Sequence, residues 1–304
     1  MNKIKIPLQT IITFLGVNVL EVKGPVDDVF VDNIADVAHT IESTLDWVNP
    51  VKKNKQQMAE NSMAKVILVD KDVVYSDLLK KFGKTLIYVE NPKAAFSLVG
   101  NAFFVQIEAP GIHPTAVIDP DTQIGENVFI GAFAVIGKAI IGDGCRISSF
   151  VRIYDNVIVG TNCYFKEGAV IGGPGFGFEK DENGNRFRFP QIGRVIIGNE
   201  VEVGANTCVD RGALSDTIIE DYVKIDNLCH IAHNVHLGKN VIITCSTAVG
   251  GSCVIGDNVW IGPNSTIRDQ RKVGKNAFLG MGSVVMKDVP EGEVWAGNPA
   301  RSIS

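Results

Sequence analysis

The sequence lacks an excess of basic charge, closely paired cysteines and any long apolar run, and each lack removes a class of function. Net charge is −5 across 304 residues, with acids and bases spread along the chain. No basic stripe exists to neutralise phosphates, so a general nucleic-acid binder is excluded. The six cysteines, Cys145, Cys163, Cys208, Cys229, Cys245 and Cys253, include no close pair with zinc-ribbon spacing. Cys145, Cys163, Cys229 and Cys253 each stand four residues after a regularly spaced aliphatic, in a slot held elsewhere by Ala116, Ala134, Thr207, Val223, Thr247, Val259 and Ala277. They read as small buried residues, not metal ligands or half-cystines. Reduced thiols fit a cytoplasmic protein. The run Ile11-Ile12-Thr13-Phe14-Leu15-Gly16-Val17 is too short to span a bilayer and has no small-residue cleavage site. It reads as part of an amphipathic helix within residues 1–16, and no transmembrane segment is expected.

What the chain does have is a period of six. Ile219, Ile225, Ile231, Leu237, Ile243, Val249, Ile255, Ile261, Ile267, Val273, Leu279 and Val285 follow one another without a slip. Helical faces recur at three or four residues and strands alternate at two, so six requires a short strand plus a turn, repeated about an axis. Hexapeptide repeats of this kind build parallel β-helices. The rhythm opens at Ile112 and runs through Ile118, Ile124, Ile130 and Ile136; one residue is missing before Ile141, and Ile147, Ile153, Val159, Phe165 and Ile171 follow. It stops at Gly172-Gly173-Pro174-Gly175-Phe176-Gly177-Phe178, where a loop of some twenty residues (about 173–194) has no aliphatic register. A loop that long in a compact fold usually serves function. The rhythm restarts near Ile197 and Val203, is displaced around residues 210–214, and locks at Ile219.

Residues 1–109 show no such rhythm and read as a small α/β domain, followed by a β-helical domain over 110–304. Residues 65–70 and 85–89 are buried-strand patterns, and Asn91-Pro92 is an N-cap with proline at the first helical position, opening a helix to about Phe103. Trp47-Val48-Asn49-Pro50 precedes Lys52, Lys53 and Lys55. That segment suits a base and its phosphates, or else a core tryptophan followed by a solvated lysine run.

Three hexads make one triangular turn of 18 residues, so residues 18 apart become neighbours on stacked turns. Gly251 then lies beside His233, and Gln270 lies one turn further on near the same edge. An outward imidazole beside an exposed glycine N–H pairs a candidate general base with an oxyanion donor. That suits attack of an amine or hydroxyl on a thioester without a nucleophilic Ser or Cys. His230, His233 and His236 also raise a zinc site as the rival, but residues six apart lie on different sides of the triangle, and no metal is expected.

Residues 192–198, Asp210-Arg211-Gly212-Ala213-Leu214-Ser215-Asp216-Thr217 and Lys224-Ile225-Asp226-Asn227 through Ile231-Ala232-His233-Asn234-Val235 resemble the UDP-3-O-(3-hydroxyacyl)glucosamine N-acyltransferases of lipid A biosynthesis. The Gly175-Phe176-Gly177-Phe178 loop and Val48-Asn49-Pro50 match the same pattern. The resemblance implies a left-handed β-helix, a cytoplasmic homotrimer with sites between subunits, and an N-terminal domain that binds uridine through Asn49 and residues around Trp47. It implies His233 as the base for the glucosamine 2-amine and Gly251 as the oxyanion donor. Asp226 and Asn227 would orient His233 or the acyl hydroxyl; the glycines and paired Phe residues of the 175–178 loop suit lining a pocket, with Phe176 and Gly177 as substrate-binding residues, or reaching a neighbouring chain. No tightly bound cofactor is implied; the donor is a phosphopantetheine-linked acyl group on acyl carrier protein, and the acceptor a UDP-amino sugar.

Two departures qualify that pattern. Gln270 stands where the family has a second histidine, and glutamine can hydrogen-bond but cannot carry a proton. Arg271 occupies a normally small interior slot, which predicts local distortion. The chain ends at Gly297-Asn298-Pro299-Ala300-Arg301-Ser302-Ile303-Ser304 without the family's C-terminal helices, more like coenzyme-A-dependent sugar acetyltransferases. The alternatives are therefore an acetyl-CoA- or acyl-CoA-dependent nucleotide-sugar N-acyltransferase and a catalytically silent nucleotide-sugar-binding paralogue. Arg268, Arg271, Lys272, Lys275 and Lys287 offer a basic surface for an acidic carrier protein or coenzyme A phosphates, or simply a solvated face.

Overall fold

The structure, a computed structural model, describes residues 5–303. It divides into two compact units, Met1–Ile107 and Glu108–Ser304. The first is built on a five-stranded sheet in the spatial order Val19–Lys23, Thr85–Val89, Val66–Val69, Thr44–Trp47, Asn33–Ile34, parallel except for its first strand. Its two central strands are buried on both faces, as their unbroken apolar runs require. Helix Leu8–Leu15 buries Leu8, Ile11 and Leu15 and leaves Phe14 exposed, so most of the N-terminal apolar run lies on one amphipathic helix packed on the unit's core. Helix Pro92–Phe103 starts where expected, with Asn91 accepting a hydrogen bond from Ala94 N–H.

Lys84 is 5% exposed. Its Nζ donates to the carbonyls of Ala59 at 3.1 Å, Glu60 at 2.9 Å and Ser62, at the end of helix Lys55–Asn61. A cation there satisfies carbonyls that have no intrahelical donor. Burial lowers its pKa from the ordinary lysine value.

The second unit is a parallel β-helix of three sheets. Its first face begins at Gly111–Ile112, its second at Val117–Ile118 and its third at Gln123–Ile124, and each later coil adds one short strand to each face in that order. From Ile130 onward the periodic aliphatics point inward and form one continuous core, with Ile118 and Ile124 partly buried against its end and Ile112 exposed. Cys145, Cys163, Cys229 and Cys253 fill the small interior slot, at most 2% exposed. Burial raises the thiols of Cys229 and Cys253 above the ordinary range. Between strands, corner residues such as Asn234, Ser252 and Gln270 adopt positive φ (62°, 59° and 61°) and stack at intervals of 18. Asparagine tolerates this region best among residues with a Cβ.

Register along the stack locates every irregularity. Ile136 pairs Ile153, one residue short of 18, whereas Ile171 pairs Val209 and Val209 pairs Ile231, offsets of 38 and 22. Extra and missing residues all fall between the second and third faces. One corner therefore absorbs all the departures from the repeat, and it is the corner that carries His233.

Two expectations need correction. The segment without aliphatic register is not a structureless loop: Phe178–Lys180 and Arg186–Arg188 pair as an antiparallel hairpin. Its strand residues are half-buried or exposed, so no inward set of aliphatics marks them. Nor does Arg271 distort its hexad. Val254 N–H still donates to the Arg271 carbonyl at 2.9 Å, and the pairing of Ile255 with Val273 is intact. The guanidinium instead turns toward Asp288 at 3.3 Å, with Nε donating to the Asp269 carbonyl.

Candidate functional site

His233 lies just after the second-face strand His230–Ile231, at the irregular corner, and is half-buried. Glycines bound its ring on two sides. A Cβ at Gly251 would sit 2.8 Å from Cε1 and 2.9 Å from Nε2, and a Cβ at Gly175 would sit 2.8 Å from Cβ and 3.0 Å from Cδ2 of the same histidine. Neither position accommodates a side chain without moving the imidazole. Stacking by 18 brings Gly251 to His233; the insertion brings Gly175, which no spacing rule could place.

The tautomer follows from Asn234. Its Nδ2 donates to the Ser215 carbonyl at 3.2 Å and to Ser215 Oγ at 2.8 Å, while its Oδ1 accepts from Ala213 N–H at 3.1 Å. A carbonyl cannot donate, so the amide orientation is fixed. His233 Nδ1, 2.9 Å from the same Oδ1, must then be the donor. In the neutral ring this leaves the lone pair on Nε2, and Gly251 packs against the Cε1–Nε2 part of the ring. Gly251 N–H has no acceptor among the described residues, whereas the neighbouring Ser252 N–H donates to the His233 carbonyl at 2.9 Å. The arrangement offers a proton acceptor and a free backbone donor side by side.

Asp210 is the charged group that spacing did not single out. Its side chain is 14% exposed, with Oδ2 3.6 Å from His230 Nε2. Burial raises its carboxyl above the ordinary range, and the charges of His230 and His233 oppose that shift. The signal was present in the register, since Cys208 pairs His230 and so places Asp210 on the coil beneath the His pair.

The three histidines separate as expected: His230 faces Asp210, His233 bonds Asn234, and His236 Nε2 reaches Glu220 at 2.7 Å. Asp226 and Asn227 are not brought to His233. They occupy the preceding corner, where Asn227 Oδ1 accepts from Ala205 N–H at 2.7 Å and Asp226 Oδ1 from Asn227 N–H at 2.7 Å. The orienting role falls to Asn234. Gln270 stacks above Asn234 and Ser252; its N–H donates to the Gly251 carbonyl at 2.8 Å and its side chain is exposed. Asp269, not Gln270, is the residue directly above Gly251 in the 18-residue stack.

Phe176 is 83% exposed and makes an edge contact with Phe178 at 4.9 Å, while Arg188 lies 5.0 Å over the Phe178 ring. Gly177 packs on Gln191 and Phe189. The basic surface is largely neutralised: Lys275 pairs Asp257 at 2.8 Å, Arg271 pairs Asp288 at 3.3 Å and Arg268 lies 3.6 Å from Asp269.

Within the first unit, Trp47, Asn54, Gln57, Met58, Asn61 and Met63 help to line a cleft of about 370 Å³. Trp47 packs on Phe96 with ring centroids 6.2 Å apart. Asn49 uses Oδ1 to accept from Val51 N–H at 3.1 Å and turns the chain instead of lining this cleft. Lys55 is not free for a phosphate, because it is bound to Asp70 at 2.8 Å and to Asp72.

Comparison with known proteins gives a consistent set of matches. Residues 252–287 match the family model for bacterial transferase hexapeptide (six repeats), and residues 101–215 that for the GMPPB C-terminal domain. The chain is 34% identical over 245 residues to the UDP-3-O-acylglucosamine N-acyltransferase of Coxiella burnetii, covering 74% of this chain and 70% of that protein. It is 36% identical over 270 residues to UDP-3-O-acylglucosamine N-acyltransferase 1 of Francisella tularensis, covering 82% and 78%. Among solved structures, LpxA from Acinetobacter baumannii matches with a TM-score of 0.58 at 29% identity, over 63% of this chain and 73% of that one. The UDP-N-acetylglucosamine acyltransferase from Campylobacter jejuni matches with a TM-score of 0.57 at 27% identity, over 64% and 74%.

Proposed function

Since this chain belongs to the UDP-3-O-acylglucosamine N-acyltransferase family, we propose that it moves a 3-hydroxyacyl group from acyl carrier protein to the 2-amine of UDP-3-O-acylglucosamine, with His233 as general base and no covalent intermediate. One observation carries this reading: an imidazole whose Nδ1 is committed to Asn234, and whose Cε1–Nε2 part packs against a glycine with a free N–H.

The steps follow from that geometry. The neutral amine attacks the thioester carbonyl and a C–N bond forms as His233 Nε2 takes the amine proton. Negative charge develops on the carbonyl oxygen, where Gly251 N–H donates to it. The C–S bond then breaks, and the imidazolium returns its proton to the departing thiolate. Asn234 holds the ring throughout, and the Asp210 carboxylate favours the imidazolium through space. Gln270 does not carry a proton here, and the scheme does not need it to.

In the first unit the cleft beside Trp47 is the proposed uridine site; an aromatic face and amide side chains suit a pyrimidine. The subunits would associate as a homotrimer in the cytoplasm, and Phe176 would meet substrate from the exposed tip of the insertion.

The test is a product assay. Purified protein is incubated with UDP-3-O-acylglucosamine and either 3-hydroxyacyl carrier protein or the matching acyl-CoA, and the amide is identified by mass. Turnover with the carrier supports the donor assignment. Turnover with coenzyme A alone would replace it, and no amide from either would overturn the reading.

A further inference from the structure

The corner that holds Gly251 is a pair of glycines with a functional side chain on either side. A Cβ at Gly251 would meet Cε1 and Nε2 of His233, on the coil below, at 2.8 and 2.9 Å. A Cβ at Gly250 would meet the backbone N of Asp269, on the coil above, at 2.5 Å and its Cα at 2.9 Å. Two hydrogen bonds fix that upper contact. Gly250 N–H donates to the Ile267 carbonyl at 2.9 Å, and Gln270 N–H donates to the Gly251 carbonyl at 2.8 Å. His233 and Asp269 therefore stand two coils apart in one column, with only glycine between them.

The Asp269 carboxylate is open to a ligand. Its side chain is 56% exposed, with Oδ1 3.6 Å from Arg268 Nε and Oδ2 accepting from Gln270 Nε2 at 3.4 Å. These two long contacts orient the group and leave acceptor positions free on both oxygens. Arg268 also offsets its charge, which would otherwise oppose the negative charge developing beside Gly251 N–H. A thioester carbonyl that takes this N–H lies in the gap between imidazole and carboxylate. In a 3-hydroxyacyl group the hydroxyl oxygen is three bonds from the carbonyl carbon, a span shorter than the ~4.8 Å between stacked strands. The chain thus presents its hydroxyl to the next coil, where Asp269 stands. Asp226 and Asn227, which the resemblance offers for that hydroxyl, lie at another corner.

We propose that Asp269 accepts a hydrogen bond from the 3-hydroxyl of the acyl donor and so selects hydroxylated over unsubstituted acyl groups. This deepens the N-acyl transfer reading above and rests on it. A donor without the hydroxyl leaves a charged acceptor facing a methylene group, which is how a polar site rejects an analogue. Gln270 then serves by orienting the selecting carboxylate, a task that needs no proton transfer.

The experiment measures kcat/KM for a 3-hydroxyacyl donor and an unsubstituted donor of equal chain length, both on the carrier protein or coenzyme A, whichever supports turnover. It is run on the wild type, Asp269→Ala and Asp269→Asn, with Tm recorded for each. The wild type is expected to favour the hydroxylated donor by about tenfold or more. Asp269→Ala is expected to lose about tenfold on that donor and to stay within about twofold on the unsubstituted one, at unchanged Tm. Asp269→Asn, which keeps an oxygen acceptor, is expected to retain most of the preference. A wild type without preference, or an Asp269→Ala variant that slows both donors equally, overturns the inference while leaving the transfer reading intact. A wild type that forms no amide from either donor overturns both.

Discussion

Gly251 and Asp210 make opposite kinds of residue-scale statement. At Gly251 the constraint is space: a methyl group would meet Cε1 and Nε2 of His233 at 2.8 and 2.9 Å. Gly251→Ala is expected to reduce kcat roughly 100-fold by shifting the ring while leaving Tm unchanged; an unchanged kcat would show that the ring has room. At Asp210 the constraint is charge. Its folded-state pKa is raised by burial, so its contribution to stability is present below its unfolded value and is lost as pH rises through the raised folded value. Asp210→Asn is therefore expected to match the wild type in acid and to melt higher at neutral pH, with reduced activity. Thermal melts across pH check this, and a lower neutral Tm for the variant would mean that the carboxylate stabilises the fold.

The element that matters most is the insertion between the second and third faces. Its hairpin strands Phe178–Lys180 and Arg186–Arg188 are largely exposed, so replacing residues 178–188 with a short Gly-Ser turn is expected to change stability little, loop closure varying only weakly with length. Activity is expected to fall severely, because Gly175 would lose its fixed position against the His233 ring. Retained activity would confine the insertion to a spacer role. This element also marks the limit of what could be read from sequence. The inward aliphatics fixed the coil and, through the interval of 18, the meeting of His233 with Gly251. They say nothing about a two-stranded ribbon with no buried face. Asn234 was hidden for a related reason: its partners Ala213 and Ser215 arrive through the extra residues of the preceding coil, and a periodic rule cannot place an exception to the period. The family resemblance put Asp226 and Asn227 on the same coil as His233, but the second-face strand His230–Ile231 separates their corner from its own.

At the scale of the whole molecule, the two units have separate cores, one continuous along the coil and the others confined to the first unit. Phe165 is fully buried in the coil, and Phe165→Ala is expected to cost about 3–5 kcal/mol through the cavity it leaves. Calorimetry should show that loss in the coil's transition alone; an equal shift of every transition would mean that the units unfold as one. The coil thus serves as a rigid ruler whose regular faces hold a single irregular corner, and the central claim is that this corner performs the acyl transfer through His233. The most direct measurement is the single-turnover rate of amide formation on UDP-3-O-acylglucosamine for wild type and His233→Ala, with Tm recorded for both. The expected result is a fall of about 10³-fold at unchanged Tm. A variant that keeps more than a tenth of the wild-type rate would contradict the assignment.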